Sequence, residues 1–378
     1  MLFFRAIALI FLLVSPVIAQ DRAASLQTAF TRAQHLKHGI NASEWFAQSS
    51  SDYSAARTNR YMDDADIALM AKLGFDSVRL SIDPAPLERE PQNKDGLNGD
   101  FTARLDHAVD AMLSNGLAVQ IDIHPESDYK LKVRNNNSDV ERFTMLWRKL
   151  AAHYANRNPD LIFFEVMNEP EVSDGYRWEG IQAQAAAAIR DAAPRNTIIA
   201  AGPNYSGIAD LLTQHPLSDG NVIYNFHFYE PHEFTHQGAG WGAPYWRYTH
   251  DIPYPATESS MEESVKQVPD ARDRYDFEHY WLDHWDGHRI RLQIDAAAAW
   301  GKANGVPLLC NEFGAYRRVT DPASRMNWIH DVRTALEADG IGWTMWDYRG
   351  GFGVVYKTDG QPAKVDPAVV EALGLRKN

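Results

Sequence analysis

The chain has 378 residues, of which 45% are hydrophobic and 23% are charged, the composition of an ordinary globular protein. Its formal net charge of −13 argues against nucleic acid or anionic lipid as a partner, because both carry negative charge themselves. A single cysteine, Cys310, excludes an intramolecular disulfide, so the fold must be stabilised by its core.

The first element in chain order is an N-terminal segment, residues 1–19, in which one early charge at Arg5 precedes an apolar run. The run is about ten residues long, too short to cross a bilayer, and leads to Val17-Ile18-Ala19. This pattern predicts a cleaved secretory signal, with an uncleaved anchor as the alternative. We therefore expect a mature chain of residues 20–378 that is secreted or periplasmic and not held in a membrane.

Beyond the signal, short apolar segments rich in β-forming residues alternate with helical patterns. We predict strands over residues 35–42, 76–82, 117–124, 161–169, 196–202, 221–229, 306–314 and 342–348. Eight such strand–helix units predict a single-domain α/β fold, a closed (β/α)₈ or TIM barrel. An open doubly wound sheet is the alternative, but no GxGxxG follows the first strand and no Gly-x-Ser-x-Gly elbow occurs.

One connection departs from this regular alternation, because an enlarged loop over residues 230–286 follows the sixth predicted strand. The loop is rich in aromatic residues, including Trp241, Tyr245 and Trp246. Long loops in compact domains are usually functional or disordered, and disordered segments are poor in aromatic residues. We therefore predict that the loop is an ordered lid or wall.

Polar and aromatic residues recur at the carboxyl ends of six predicted strands. They are Arg79, His124, Asn168, Glu169, His227, Tyr229, Glu312, Trp346 and Asp347. In a (β/α)₈ barrel these strand ends converge on one face, where such enzymes place their active sites. Each residue alone has a structural explanation, such as a core position for Trp346. Their shared position at the strand ends predicts a single site.

Two of these residues, Glu169 and Glu312, each directly follow an asparagine. When two carboxyl groups converge in a partly buried site, one tends to stay protonated and the other ionised. Cleavage of a glycosidic bond requires such a pair, with one acid and one nucleophile or base. We predict a separation of about 5–5.5 Å between the two carboxyl groups, the geometry that retains the anomeric configuration.

The motifs in this order resemble glycoside hydrolase family 5, the cellulase-like retaining (β/α)₈ enzymes. The resemblance runs from GINASEWF at residues 39–46 to MWDYRGGFGV at residues 345–354. VMNEP looks like the family's acid/base signature, and CNEFG looks like its nucleophile strand. The resemblance implies that Glu169 is the general acid and then the base, and that Glu312 is the nucleophile.

The same resemblance implies supporting roles for the remaining strand-end residues. Arg79 and Tyr229 would bind and orient Glu312, and His227 would help to set the protonation of Glu169. Asn168 would hold the sugar 2-hydroxyl, and His124 a neighbouring hydroxyl. Trp346 would stack on the −1 sugar, because pyranose rings present apolar faces to aromatic side chains.

Other residues are weaker candidates. For contacts with further sugars we name Trp45, Tyr205, Trp241, Trp246 and Asp347, with ordinary packing as the alternative for each. Metal-binding side chains also cluster in HFYEPHEFTH (His227, His232, His236) and in DHWDGH (Asp283, His284, Asp286, His288). Zinc sites need defined spacing on a rigid element, so we expect neither a catalytic metal nor a cofactor. A structural cation in the enlarged loop is the alternative.

The sequence therefore predicts a secreted retaining glycoside hydrolase that is a monomer and acts on an oligo- or polysaccharide, most specifically an endo-β-1,4-glucanase. A β-mannanase and a β-1,3/1,6- or mixed-linkage glucanase of the same family are alternatives, and the enlarged loop leaves exo action open. A non-catalytic carbohydrate-binding barrel is a further alternative. It would need the aromatic residues but not both glutamates.

Overall fold

The computed structural model describes residues 21–49 and 52–375. Eight parallel strands form a closed barrel in chain order, with β8 paired back to β1. They are β1 (His38–Asn41), β2 (Ser77–Ile82), β3 (Ala118–Ile123), β4 (Ile162–Glu165), β5 (Thr197–Ala200), β6 (Val222–Phe228), β7 (Leu308–Phe313) and β8 (Gly342–Met345). All eight predicted strands are present, and the fold is the predicted single-domain (β/α)₈ barrel. The predicted signal at residues 1–19 lies outside the described residues.

Helices separate consecutive strands and form the outer layer. They are α1 (21–33), α2 (Ala55–Tyr61), α3 (Asp64–Leu73), α4 (Pro84–Leu87), α5 (Gly99–Ser114), α6 (Ser127–Asn135), α7 (Asn137–Tyr154), α8 (Gly175–Ala192), α9 (Ile208–Leu212), α10 (His232–Thr235), α11 (Glu258–Val265), α12 (Ala271–Leu282), α13 (Gly287–Asn304), α14 (Pro322–Ala338) and α15 (Pro367–Ala372). A short hairpin of β9 (Val355–Tyr356) and β10 (Lys364–Val365) follows the barrel. None of the helices in the described part of the chain is long and apolar enough to cross a membrane.

Local sequence signals fix where the helices begin and end. Asp63 caps α3, and Asp66 returns a bond to the Asp63 backbone, which satisfies N–H groups that the helix leaves open. The helix stops at Gly74, whose φ of 100° is open to glycine at little cost. Asp321 likewise caps α14, and Pro322 occupies its first turn, where no N–H is needed.

A glycine in β1 allows the barrel to close tightly. A Cβ atom on Gly39 would lie 2.6 Å from Thr344 Oγ1 and 2.9 Å from Ser77 Oγ, on the two neighbouring strands. Strands β2, β3, β6 and β7 are buried along their whole length, as parallel strands covered on both faces must be.

Three buried tryptophans tie the outer helices to the segments that leave the barrel. Their indole N–H groups donate to backbone carbonyls just past three strands, pairing Trp147 with Val166 (2.8 Å), Trp178 with Ala201 (2.8 Å) and Trp328 with Glu230 (3.1 Å). Because these carbonyls immediately precede or begin the loops after β4, β5 and β6, the helices fix the face of the barrel on which the polar residues converge.

The structure corrects the predicted end of the fourth strand. β4 ends at Glu165, so Asn168 and Glu169 lie beyond it rather than closing it. Glu169 has a φ of 40°, in the left-handed region that non-glycine residues seldom occupy. The acid is therefore presented by a sharp turn after the strand.

The enlarged loop is ordered, as predicted. It contains α10, α11 and α12 and a short 3₁₀ turn, Trp246–Tyr248. Tyr254 and Tyr280 are buried in it, and the Tyr254 hydroxyl donates to Asp331 on α14 at 2.9 Å. These contacts anchor the loop against the barrel, where its first part forms a wall.

Candidate active site

The carboxyl ends of the strands surround a cleft of about 740 Å³. Most of the residues singled out from the sequence line this cleft, namely His124, Asn168, Glu169, Tyr205, His227, Tyr229, Trp241, Trp246, Glu312, Trp346 and Asp347. Arg79 lies directly beneath, where it contacts Glu312. Residues that are far apart in sequence thus meet in one site.

Glu312 is held by two donors. Arg79 Nη1 donates to its Oε1 at 2.5 Å, and the Tyr229 hydroxyl donates to its Oε2 at 2.9 Å. Each carboxylate oxygen therefore has a fixed partner, which leaves the group oriented toward the cleft. Hydrogen bonds of this charge-assisted kind are the strong ones in proteins.

Arg79 is fully buried and shared among three carboxylates. Its Nε and Nη2 atoms bind both oxygens of Glu165 at 2.7 Å, and Nη2 also lies 3.0 Å from Asp122 Oδ2. Glu165 accepts two more bonds, from the amides of Asn225 (3.0 Å) and Asn311 (2.8 Å). A buried charge is tolerated when it is paired and hydrogen-bonded in this way. The result is a rigid platform for Glu312.

A relay of polar groups fixes Asn168. Arg79 Nη2 donates to Asn168 Oδ1 at 3.0 Å, so the amide nitrogen must point the other way, where it lies 3.1 Å from His124 Nε2. Burial, with the charge of Arg79, lowers the pKa of His124 to about 3, so this ring is neutral. Its Nδ1 lies 2.9 Å from Asp122, which suits an N–H at Nδ1 and an acceptor at Nε2. Asn168 keeps one amide hydrogen for a ligand.

Glu169 is hydrogen-bonded to His227, with its Oε1 atom 3.0 Å from His227 Nδ1. Burial alone would lower the pKa of His227, but the carboxylates of Glu312 and Glu169 raise it above its ordinary value. Burial raises the pKa of Glu169, but the hydrogen bond and charge of His227, together with the charge of Lys130, hold that pKa below its ordinary value. The pair therefore shares one proton, which resides on His227 while Glu169 is ionised.

The two glutamates are close together. A carboxylate oxygen of Glu169, one of Glu312 and a ring nitrogen of His227 all lie within 4.8 Å of one another. Within the described residues, this is also the one group of three with the spacing of a metal site. The two clusters suggested by the sequence do not assemble. His232 and His236 stack on one another and on Trp246, and Asp286 caps α13.

Aromatic rings form the sides of the cleft. Trp346 stacks against His124 with ring centres 5.8 Å apart, and Trp241 meets the edge of Tyr316 at 5.1 Å. Trp241 is 51% exposed, so one face remains open to a ligand. Trp45 does not belong here, contrary to expectation. It is only 5% exposed and donates its indole N–H to the Thr58 carbonyl at 2.9 Å, so it packs in the core.

The structure adds residues that the sequence did not single out. Glu165 and Asp122 flank Arg79, and Tyr316 and Phe352 extend the aromatic wall. Strand periodicity offered a signal for Asp122, because it precedes His124 by two residues and so shares its side of β3. Tyr316 and Phe352 had no such signal, since they lie in loops.

The arrangement offers a positioned carboxylate, Glu312, opposite a proton-sharing pair, Glu169 and His227. Neutral hydrogen-bonding groups and open aromatic faces stand between and beside them. Such a cleft can bind a polar molecule with apolar faces, attack it on one side and protonate it on the other.

Comparison with known proteins identifies the same family that the sequence motifs resemble. A model of the cellulase family, glycosyl hydrolase family 5, matches residues 38–351. Endoglucanase C of Acetivibrio thermocellus is 28% identical over 347 residues, covering 90% of this chain and 98% of that protein. Cellodextrinase A of Ruminococcus flavefaciens is 31% identical over 314 residues, covering 80% of this chain and 82% of that protein.

Solved structures of such enzymes also resemble this chain. A hyperthermophilic endo-β-1,4-glucanase in complex with substrate is 26% identical with a TM-score of 0.73, over 92% of this chain and 99% of that one. Cel5A of Thermotoga maritima in complex with mannotriose is 26% identical with a TM-score of 0.71, over 91% of this chain and 99% of that one. The resemblance inferred from the motifs is confirmed.

Proposed function

Because the chain belongs to glycosyl hydrolase family 5 and is a cellulase-like glycoside hydrolase, we propose that it is a secreted, retaining endo-β-1,4-glucanase. Secretion rests on the signal pattern of residues 1–19. The finer activity rests on the geometry of the two glutamates and on the cleft around them.

The observation that carries the proposal is the distance between Glu169 and Glu312, whose nearest carboxylate oxygens lie within 4.8 Å. Retaining enzymes hold their two carboxyl groups about 5–5.5 Å apart, whereas inverting enzymes need about 6.5–9.5 Å to admit a water molecule. The short distance supports direct attack by one carboxylate on the sugar.

In the first step, Glu312 attacks the anomeric carbon while the bond to the leaving oxygen breaks. The proton shared by Glu169 and His227 passes through Glu169 to that oxygen, so the leaving sugar departs as a neutral alcohol. The Asn168 amide hydrogen that is left free binds the 2-hydroxyl, a contact that strengthens as positive charge develops on the ring. A glycosyl ester of Glu312 results.

In the second step, the ionised Glu169 takes a proton from water, whose oxygen attacks the same anomeric carbon. The ester bond to Glu312 breaks, and the product leaves with its original β configuration. The proton that Glu169 takes from water is again shared with His227, whose Nδ1 lies 3.0 Å from Glu169 Oε1, and the pair returns to its starting state.

The open faces of Trp241 and Trp346 suit a chain of pyranose rings, since each ring can bury a C–H face on an aromatic side chain. The names of the related endoglucanases support β-1,4-glucan as the substrate. A β-mannan is the second candidate, because the related Cel5A of Thermotoga maritima has been solved with mannotriose.

The proposal is tested by measuring reducing-end release from a panel of glycans. The panel contains carboxymethyl-cellulose, barley mixed-linkage glucan, glucomannan, galactomannan, laminarin and pustulan, and the enzyme is the mature chain from Gln20. Glu169→Ala and Glu312→Ala serve as controls. Loss of a general acid should cost about 10²–10⁴-fold in rate on these unactivated substrates.

Activity on the first two glycans that both substitutions abolish would support the proposal. Activity restricted to galactomannan would indicate a mannanase instead. Activity restricted to laminarin or pustulan would indicate specificity for β-1,3 or β-1,6 linkages rather than β-1,4 linkages. Full activity in either glutamate variant would refute the assigned mechanism. Binding without turnover in the wild type would favour the non-catalytic barrel.

A further inference from the structure

The segment that follows Glu169 has an unusual backbone. Both Glu169 and Glu171 are in the left-handed region, with φ values of 40° and 55°, and Pro170 lies between them. Such conformations cost free energy in non-glycine residues and persist where neighbours hold them. Here the Glu171 N–H donates to the Asn204 carbonyl at 2.7 Å, and Arg134 donates to the Glu171 carbonyl at 3.2 Å.

The side chain of Glu171 forms a partly buried ion pair beside the acid. Its Oε1 accepts from the Ser127 hydroxyl at 2.8 Å and lies 3.2 Å from the ammonium of Lys130 on α6. Lys130 is only 5% exposed, and lysine is rarely so buried unless it is paired. A pair of opposite charges therefore lies beside the acid, because Glu171 is two residues from Glu169.

The charge of Lys130 acts on the groups of the cleft. Although burial raises the pKa of Glu169, Lys130 is among the cations that lower it, after His227. It also opposes the effect of burial on Asp122. The titratable and charged groups that face Glu169 from the surrounding elements are Arg79, Asp122, His124, Lys130, Tyr205, His227, Tyr229, His236 and Glu312. Of this set, the cations are Arg79, Lys130 and the protonated His227, because burial lowers the pKa of His124 and of His236 to about 3.

We propose that Lys130 and Glu171 are positioning residues that set the pH at which the Glu169–His227 pair loses its shared proton. The proposal rests on the proposed role of Glu169 as acid and base. Lys130 favours loss of the proton from the Glu169–His227 pair, and Glu171 offsets Lys130. The pair thereby balances two demands on Glu169, which must hold a proton in the first step and be ionised in the second.

The two charges predict shifts of opposite sign. Lys130→Met keeps the length of the side chain but removes the cation, so the proton should be held to higher pH. Glu171→Gln leaves Lys130 uncompensated, so the proton should leave at lower pH. A direct contact would shift a pKa by about 1–3 units. Because Glu169 is not the direct partner of Lys130, we expect shifts of roughly half a pH unit.

The experiment is the pH profile of kcat/KM on a cello-oligosaccharide, whose basic limb reports the proton on the free enzyme's acid. We expect the limb to move up in Lys130→Met, down in Glu171→Gln, and close to wild type in the double variant and in Lys130→Arg. Lys149→Met is the matched control. Lys149 lies on the outer helix α7 and donates to the Gly96 carbonyl, so the limb should not move.

A limb that stays fixed in both variants, or that moves in the same direction in both, would overturn the proposal and leave Lys130 and Glu171 with a purely structural role. If Lys130→Met does not fold, Glu171→Gln still decides, because a purely structural role predicts no downward shift of the limb. Glu169→Ala is measured alongside. If it keeps full activity, the proposed function fails, which is a different result from a fixed limb.

Discussion

Replacing Arg79 by lysine would keep the positive charge of the barrel interior but remove the planar fork that organises it. The guanidinium binds both oxygens of Glu165 at 2.7 Å and Glu312 at 2.5 Å. A lysine ammonium is a single point of charge and cannot satisfy Glu165 on both oxygens and Glu312 at once. At least two charge-assisted bonds are lost, each worth about 1.5–3 kcal/mol. The free energy of unfolding should therefore fall by roughly 3–6 kcal/mol, a large part of the stability of a typical domain.

Urea unfolding followed by tryptophan fluorescence measures this loss as a lower midpoint at unchanged slope. Arg148→Lys is the matched control. Arg148 forms an exposed pair with Asp191 at 3.1 Å, and exposed pairs contribute about 1 kcal/mol at most. The kcat of Arg79→Lys should also fall, because Glu312 loses an orienting donor. A change below about 1 kcal/mol in Arg79→Lys, equal to the control, would refute the view that Arg79 is the platform for Glu312.

Three further substitutions test other parts of the site. Trp45→Phe should lower the free energy of unfolding by about 1–3 kcal/mol, through the lost hydrogen bond to Thr58, and should leave KM unchanged. A raised KM would show instead that Trp45 contributes to substrate binding. Trp241→Ala should raise KM for cello-oligosaccharides roughly tenfold, for a stacking energy of about 1.5 kcal/mol, with the melting temperature unchanged; an unchanged KM would remove Trp241 from substrate binding. Burial raises the pKa of Asp347 to about 6, although the hydrogen bond from Ser43 opposes this shift. The folded state therefore binds the proton of Asp347 more tightly than the unfolded state does. As a result, the free energy of unfolding of the wild type should fall as the pH rises from about 4 to about 6. Asp347→Asn should lack this loss, and melting curves at pH 4.5 and 7.5 in which both proteins change equally would contradict the assignment.

The barrel could be predicted from the sequence because each strand is a short apolar run bounded by helical patterns. Such apolar runs are visible in the sequence because parallel strands are buried on both faces and so need apolar side chains on both. The end of β4 could not be predicted, because Val166 and Met167 continue the apolar run after the ladder has ended at Glu165. The turn at Glu169 is evident from its left-handed φ in the structure, but no residue type in the sequence indicates that φ.

The residues of the site also fall into those that the sequence could predict and those that it could not. Residues at strand ends, such as His124 and Glu312, could be assigned because the barrel brings all strand ends together. Trp45 was placed wrongly, because an aromatic residue after a strand packs inward or outward depending on tertiary contacts that the sequence does not contain. The ion pair of Lys130 and Glu171 joins residues 41 positions apart through a loop conformation, so it becomes visible only in the folded chain.

The central claim, that Glu312 attacks the sugar directly, is tested most directly by following the anomeric protons of the products by ¹H NMR during the first minutes of cello-oligosaccharide hydrolysis. A double displacement with two glutamates this close predicts that the β anomer appears first and that the α anomer follows only by mutarotation. Initial formation of the α anomer would show inversion and would contradict the role assigned to Glu312.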